Sequence, residues 1–214
     1  MSDKYPRTPH LPWSPGGTSD DRRLPSADHF EGVGVVITEK LDGSNLCVTR
    51  NALFARSHSA APTHPSFSYA KQLHSAIQVS VPPDVSVFGE YCFAVHSIKY
   101  DRLPNYIMVF AARDDVTGDW LSWDDVKQCA SLMGLPTAPV LFEGIVPAGR
   151  LEDITNCLGK QPSSFGVDRE GVVVRISDRI EGSFDKSVAK WVRSNHVQTD
   201  EHWRNQAIRK QGLA

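Results

Sequence analysis

The sequence predicts an α+β fold of antiparallel sheets flanked by helices. Three observations carry this expectation. Short β-branched or aromatic runs recur along the 214 residues, each bounded by turn residues. Helical patterns fall between some of these runs, without the regular strand–helix alternation of a parallel wind. The hydrophobic share is 40 %, and the 15 glycines bring it to ordinary globular usage, enough for a sizeable core in one domain.

Composition also excludes function classes. Lys and Arg number 23 against 25 Asp and Glu, so the net charge is −2. That balance excludes a disordered charged tail and a broadly basic nucleic-acid coat, although a local basic groove stays open. No apolar run approaches the roughly 20 residues of a membrane helix. The opening MSDKYPRTPHLPW has no apolar signal core, so the expected compartment is the cytosol. Cys47, Cys92, Cys129 and Cys157 form no CxxC pair and read as reduced core thiols.

Residues 1–30 are expected as an extended proline-rich arm packed on a main domain of residues 31–214. Pro6, Pro9, Pro12, Pro15 and Pro25, with the Gly16-Gly17 pair, disfavour a long helix or a central strand. Alternatively, His10, Leu11 and Trp13 dock on the body and frame a pocket. Strands are expected at 33–39, 46–50, 85–93, 106–112, 140–143, 171–176 and 188–192. The first two flank Asp42-Gly43, which reads as a hairpin or near-hairpin. Ser66 is expected to cap a helix through 79, with Tyr69, Leu73, Ala76 and Ile77 as its stripe. Ser122 to Asp125 resembles a capping box, with Val126, Cys129, Ala130 and Met133 buried behind it and Gly134 as the stop. A short helix is expected at 151–158, and a last one from Thr199.

The most informative stretch is Glu39-Lys40-Leu41-Asp42-Gly43-Ser44-Asn45. A lysine at the end of an apolar strand sits on a stiff mount, and the turn beside it opens space for a ligand. Alone, such a lysine is equally a solvated turn residue. Glu90 in Phe88-Gly89-Glu90 and Glu170 before Gly171 lie in or against strongly apolar strands, where a carboxylate needs a partner. Lys190 lies in another such strand. Each carboxylate alone reads equally as half of a structural ion pair; the combination shifts the balance. The histidine pairs 58/64 and 196/202 are spaced for no common helical face and read as surface or RNA-side residues rather than metal ligands.

KLDGSN, FGE, MVFAARD, EGVVVR and AKWVR, in this order, resemble motifs I, III, IIIa, IV and V of the covalent nucleotidyltransferases: DNA ligases, RNA ligases and capping enzymes. Glu39 and Asn45 look most like the RNA ligase 2-like branch. The resemblance implies a nucleotidyltransferase (ATP-grasp-like ligase) domain. Only 24 residues follow Lys190, too few for the oligonucleotide-binding barrel that DNA ligases and capping enzymes append, so no barrel is expected.

The same resemblance implies an ATP-dependent RNA ligase. Lys40 would attack the α-phosphate of ATP, form lysyl-AMP, pass AMP to an RNA 5′-phosphate and join it to a 3′-hydroxyl. It implies ATP with Mg²⁺, or Mn²⁺, as cofactors and Glu170 as the metal carboxylate. Lys190 would neutralise phosphate charge, assisted by Lys186. Glu90 would meet a ribose hydroxyl, Phe110 would stack on adenine and Glu39 would read the adenine edge. Leu41, Asp42 and Asn45 complete the nucleotide pocket. Arg56 would hold a phosphate or the RNA end, together with Arg193. Lys40 must lose a proton, and Lys190, a metal ion or burial would favour that loss. Two departures stand out: Val188 occupies the place of a first motif V lysine, and Ala111 that of a motif IIIa aspartate. The tail from residue 186 onward is locally basic, a modest footprint for RNA. An end-healing kinase or phosphatase is a possible partner. The competing readings are a small DNA ligase or GTP-using capping domain, and a non-catalytic module that binds nucleotides or RNA ends.

Overall fold

The structure, a computed structural model, describes residues 4–17, 21–56, 61–194 and 207–214. Among these residues eight strands form two antiparallel four-stranded sheets. The first has the order β6 (Val140–Ile145), β1 (Gly34–Lys40), β7 (Gly171–Ile176), β8 (Val188–Val192). The second has the order β3 (Leu53–Ala55), β2 (Ser44–Val48), β4 (Val85–Tyr91), β5 (Ile107–Asp114). The helices are α1 (Ser68–Ile77), α2 (Trp123–Leu132) and α3 (Leu151–Gly159).

Strand alternation sorts side chains between separate cores. Val35 and Ile37 of β1, Val172 and Val174 of β7, and Ala189 and Trp191 of β8 are buried with Leu11, Phe30 and Leu151. On the opposite face of β8, Val188 joins Cys47, Phe88 and Ala111 of the second sheet in a small cluster with Val173 and Phe110. This cluster holds the two sheets together beside the candidate site. A larger core lies between the second sheet and α2 and includes Leu46, Val87, Met108, Trp123 and Val126.

The packing of Trp191 explains two glycines. Its indole lies so close to Gly159 that a Cβ there would stand 2.3 Å from the ring. Its carbonyl oxygen would stand 2.0 Å from a Cβ on Gly171. The indole Nε1–H donates to Asn156 Oδ1 at 2.8 Å and so fixes α3 over the sheet. Because the clash at Gly171 is with backbone, it is not relieved by a rotamer change. Gly171→Ala is expected to destabilise the protein by ~3 kcal/mol, read as a lowered midpoint in urea unfolding.

Several sequence expectations need correction. The Asp42-Gly43 turn closes no hairpin: β1 and β2 belong to different sheets, and the turn carries the chain between them. Asp42 Oδ2 accepts from the Ser97 and Ile98 amides, each at 2.8 Å, and these bonds direct the chain away from β1. Gly43 serves close approach, since a Cβ would stand 2.7 Å from the Tyr91 carbonyl oxygen. Strand β3 was not anticipated; its three residues are too few for a periodic signal. The helix expected from Ser66 begins as a 3₁₀ turn, Pro65–Phe67, capped by the His64 side chain, and Ala76 is exposed rather than buried. Cys157 is likewise exposed, on the outer face of α3.

Other elements match. Ser122 Oγ accepts from the Asp125 amide at the start of α2, and Gly134, at φ +64°, follows its end. A helix from Thr199 falls on residues 195–206, outside the described residues; residues 207–214 are extended, and Lys210 and Leu213 bridge Ala94 and Leu103. Among the described residues no helix is long and apolar enough to cross a membrane.

Residues 9–16 run along the first sheet, while Tyr5 packs on Phe88 and Phe110 of the second. Pro9 and Leu11 exchange backbone hydrogen bonds with Lys190, and the Gly16 amide donates to the Val192 carbonyl. Leu11, Ala27 and Phe30 are buried in the core. The Trp13 indole donates to Thr155 Oγ1 on α3.

Candidate active site

A cavity of about 1120 Å³ opens where the two sheets meet under the N-terminal segment. Of the residues singled out in the sequence, Glu39, Lys40, Leu41, Asp42, Asn45, Arg56, Glu90, Phe110, Glu170, Lys190 and Arg193 all line it. Lys186 does not. It ends the 3₁₀ turn Phe184–Lys186, where Phe184 points inward and turns the lysine to solvent.

Strand pairing brings the charged groups together. Lys40 on β1 is opposite Gly171 on β7, which places Glu170 beside it. Lys40 Nζ donates to Glu170 Oε1 at 2.6 Å, with the lysine side chain 27 % and the glutamate 7 % exposed. Lys190 pairs with Val173 on the adjoining strand and faces the same cavity. Glu90, on β4 of the other sheet, accepts from the Gly43 amide at 3.1 Å.

The electrostatics differ from the expectation for Lys40. Burial pushes its ammonium toward losing a proton, but Glu170, Glu90 and Asp42 more than offset this and hold it above the ordinary lysine range. Without a ligand the group is therefore a firmly held cation. Lys190 shifts the other way: burial lowers it, Lys40 adds to the lowering, and Asp21 at 3.2 Å opposes.

Burial pushes the Glu90 carboxyl up to about 8, with Glu170 and Asp42 adding to the rise and Lys40 opposing it. Between its ordinary value near 4.5 and about 8, the folded protein keeps this proton while the unfolded chain has lost it. Stability therefore falls as pH rises through that window. Glu90→Gln removes the penalty. The variant is expected to melt above the wild type at pH 9 and close to it at pH 5, with a difference at pH 9 of order 4 kcal/mol. Equal melting differences at the two pH values would contradict the assignment.

Two predicted nucleotide ligands have their carboxylates engaged by the protein itself. Glu39 alternates with Lys40 along β1. Its side chain is fully buried and accepts from Ser163 Oγ and the Ser164 amide, with Arg169 3.4 Å away. These contacts engage the carboxylate and anchor the strand beneath Lys40, while Glu39 itself still lines the cavity. Asp42 ties down the 96–98 loop as described. Phe110 lines the cavity, but the ring of Tyr5 stands against it, T-shaped, at 5.0 Å. Tyr5 also contacts Phe88, Trp120 and Phe184. A base stacking on Phe110 must share that wall with Tyr5 or displace it.

Among the described residues no three His, Cys, Asp or Glu side chains cluster in a way that would hold a metal. The donor set fits an ion whose remaining ligands are phosphate oxygens and water, as Mg²⁺ prefers, with Glu170 as the carboxylate.

A family model described as RNA ligase matches residues 34–192. The chain belongs to the RNA ligase family. A Naegleria gruberi RNA ligase solved with PPi has the same fold, with a TM-score of 0.58 at 17 % identity over 90 % of this chain and 61 % of that chain. A Naegleria gruberi RNA ligase mutant solved with ATP and Mn gives 0.55 at 15 % identity, over 83 % and 56 %. An archaeal ATP-dependent RNA ligase gives 0.57 at 18 % identity, over 88 % and 48 %. This chain thus spans about half to three fifths of the length of those structures. No curated protein matches the sequence.

In this RNA ligase-family member the cavity also takes in residues not singled out as ligands. His10, Asp21 and Arg22 come from the N-terminal segment, and Arg175 from β7. Arg175 sits in the EGVVVR run, but it is buried and donates to the Leu121 carbonyl, which accounts for it structurally. The N-terminal residues carried one signal, the clustering of His10, Leu11 and Trp13 among prolines.

Proposed function

We propose that this chain is the adenylyltransferase unit of an ATP-dependent RNA ligase, with Lys40 as the nucleophile. The observation that carries the reading is the Lys40–Glu170 contact, 2.6 Å, inside a cavity that also collects Glu90 and Lys190. Surface lysines do not gather a buried carboxylate, a second partly buried one and a second amine.

The chemistry follows from these groups. The Lys40 ammonium has no lone pair, so it must first give up a proton, and Glu170 Oε1 is the acceptor in contact. The neutral amine attacks the α-phosphorus; a nitrogen–phosphorus bond forms and the bond to pyrophosphate breaks. Lys190 faces the charge that builds on the phosphate oxygens of ATP. A divalent metal beside Glu170, Mg²⁺ or Mn²⁺, supplies charge neutralisation on the phosphates. Glu90, protonated at neutral pH, offers a hydroxyl donor and a carbonyl acceptor to the ribose. Asn45, opposite Glu90 in the sheet, and Leu41 frame the sugar and base, with Phe110 as the stacking wall.

The second half of the reading concerns RNA. Arg56 stands exposed at the rim, and Arg193 is half-exposed there, held by Asp168 at 2.8 Å. Both suit a 5′-phosphate of RNA whose partner end carries a 3′-hydroxyl. Repair of broken RNA, with an end-healing kinase or phosphatase preparing the ends, is the setting this chemistry fits.

The test is incubation with α-labelled ATP and Mg²⁺ followed by a denaturing gel. The reading predicts label that survives denaturation with ATP and not with GTP. Label from GTP alone would favour capping chemistry, and no label from either would favour a nucleotide-binding module.

A further inference from the structure

The N-terminal segment places an unsatisfied donor in the cavity. His10 is 2 % exposed and lies directly beside Lys190, the two residues forming a parallel bridge. Its Nδ1 is 2.9 Å from Ser14 Oγ, and Ser14 Oγ already accepts from the Val192 amide. The serine oxygen has a second lone pair, so it can donate to Nδ1 or accept from it. The Asp21 carboxylate facing Nε2 favours the tautomer with the proton on Nε2 and the Ser14 hydroxyl donating to Nδ1. That Nε2–H has no hydrogen-bond partner among the described residues. Asp21 Oδ2 faces it at 3.6 Å, close enough for ionic attraction but too long for a well-formed hydrogen bond. Leaving such a donor buried and unpaired costs about 1–3 kcal/mol, so its retention calls for a ligand.

The Asp21 carboxylate shows what kind. One oxygen stands 3.2 Å from Lys190 Nζ and the other faces His10 Nε2. One anion thus lies between the two donors.

We propose that His10 is a phosphate-binding residue of the adenylylation site, sharing a phosphate oxygen with Lys190, and that Asp21 holds this place until phosphate displaces it. The inference rests on the reading of the cavity as an ATP site. Burial and the neighbouring Lys190 lower His10 to about 4, with Arg23 adding to the lowering and Asp21 opposing it. His10 is then a neutral donor at physiological pH. It adds a directional bond to the point charge of Lys190 and does not demand a second cation beside it.

The experiment compares His10→Phe, which keeps ring volume without a donor, with His10→Gln, which can restore a donor near the Nε2 position, and with Asp21→Asn. Inorganic pyrophosphate binding is read by calorimetry, and KM for ATP is read from lysyl-AMP formation. Thermal melting checks each fold. His10→Phe is expected to weaken pyrophosphate binding and raise KM for ATP about tenfold, one hydrogen bond's worth. His10→Gln should recover most of both, and Asp21→Asn should lower KM severalfold by removing the competing charge. A parallel arm follows AMP transfer from adenylylated protein to 5′-phosphorylated RNA; a defect confined to that arm assigns the bound phosphate to RNA instead of nucleotide. Wild-type behaviour of His10→Phe in every arm overturns the inference, as does an Asp21→Asn variant weakened like His10→Phe. Failure of wild-type protein to form lysyl-AMP would sink the ligase reading itself, while the pyrophosphate titration would still decide the anion site.

Discussion

Replacing Lys40 with arginine is expected to abolish covalent adenylylation, by at least about 10⁴-fold, while leaving the fold intact. Arginine keeps a cation opposite Glu170, so the buried carboxylate stays paired. It cannot yield a free amine, because a guanidinium does not deprotonate in proteins. Alanine would remove the nucleophile too, but it would leave Glu170 without its cation, a change that costs up to about 3–5 kcal/mol in a fully buried pair and less here, where Lys40 is partly exposed. Labelling and melting measured on both variants separate the two effects. Retained label on Lys40→Arg would move the nucleophile elsewhere.

Glu170→Gln carries the next largest effect. Loss of the acceptor in contact with Lys40 is expected to slow lysyl-AMP formation by ~100-fold or more. The same substitution removes the strongest of the carboxylate influences that hold the Lys40 proton, so burial acts with less opposition. Lys40 should then lose its proton more readily and react faster with an amine-modifying reagent at mildly alkaline pH. A more reactive amine that adenylylates more slowly would be the mark of a carboxylate that acts once ATP is bound, as proton acceptor and in metal placement, and not only as the counter-ion of the resting ammonium. Near-normal adenylylation in Glu170→Gln would remove Glu170 from the site.

Much of this geometry was legible because strands are short-range objects. The runs at 171–176 and 188–192 carry their periodicity in five or six residues, and both appear with the bounds the pattern suggests. Lys40, Glu90, Glu170 and Lys190 stood out for a physical reason: charges in apolar strands are costly, so their presence marks a site. What the residues could not reveal was non-local. Asp42-Gly43 looks like a hairpin until the Ser97 and Ile98 amides, 55 and 56 residues away, claim the aspartate. The engagement of the Glu39 carboxylate by Ser163 and Arg169, more than 120 residues away, is likewise invisible in the local sequence. The protonation of Lys40 is non-local in the same way. Its balance depends on three carboxylates brought by three different segments, and no local window contains them.

The N-terminal segment is the part least readable from composition. Five prolines indicate an extended path but not where it runs. In the fold it follows the edge of β8, and this puts His10 and Asp21 against Lys190 and Tyr5 against Phe110.

The decisive measurement is mass-spectrometric mapping of the protein after reaction with ATP and Mg²⁺. A single added adenylate, carried on the peptide containing Lys40 and joined through the side-chain nitrogen, is the predicted result. An unmodified Lys40 in protein that has demonstrably bound ATP, or an adenylate carried on any other residue, would contradict it.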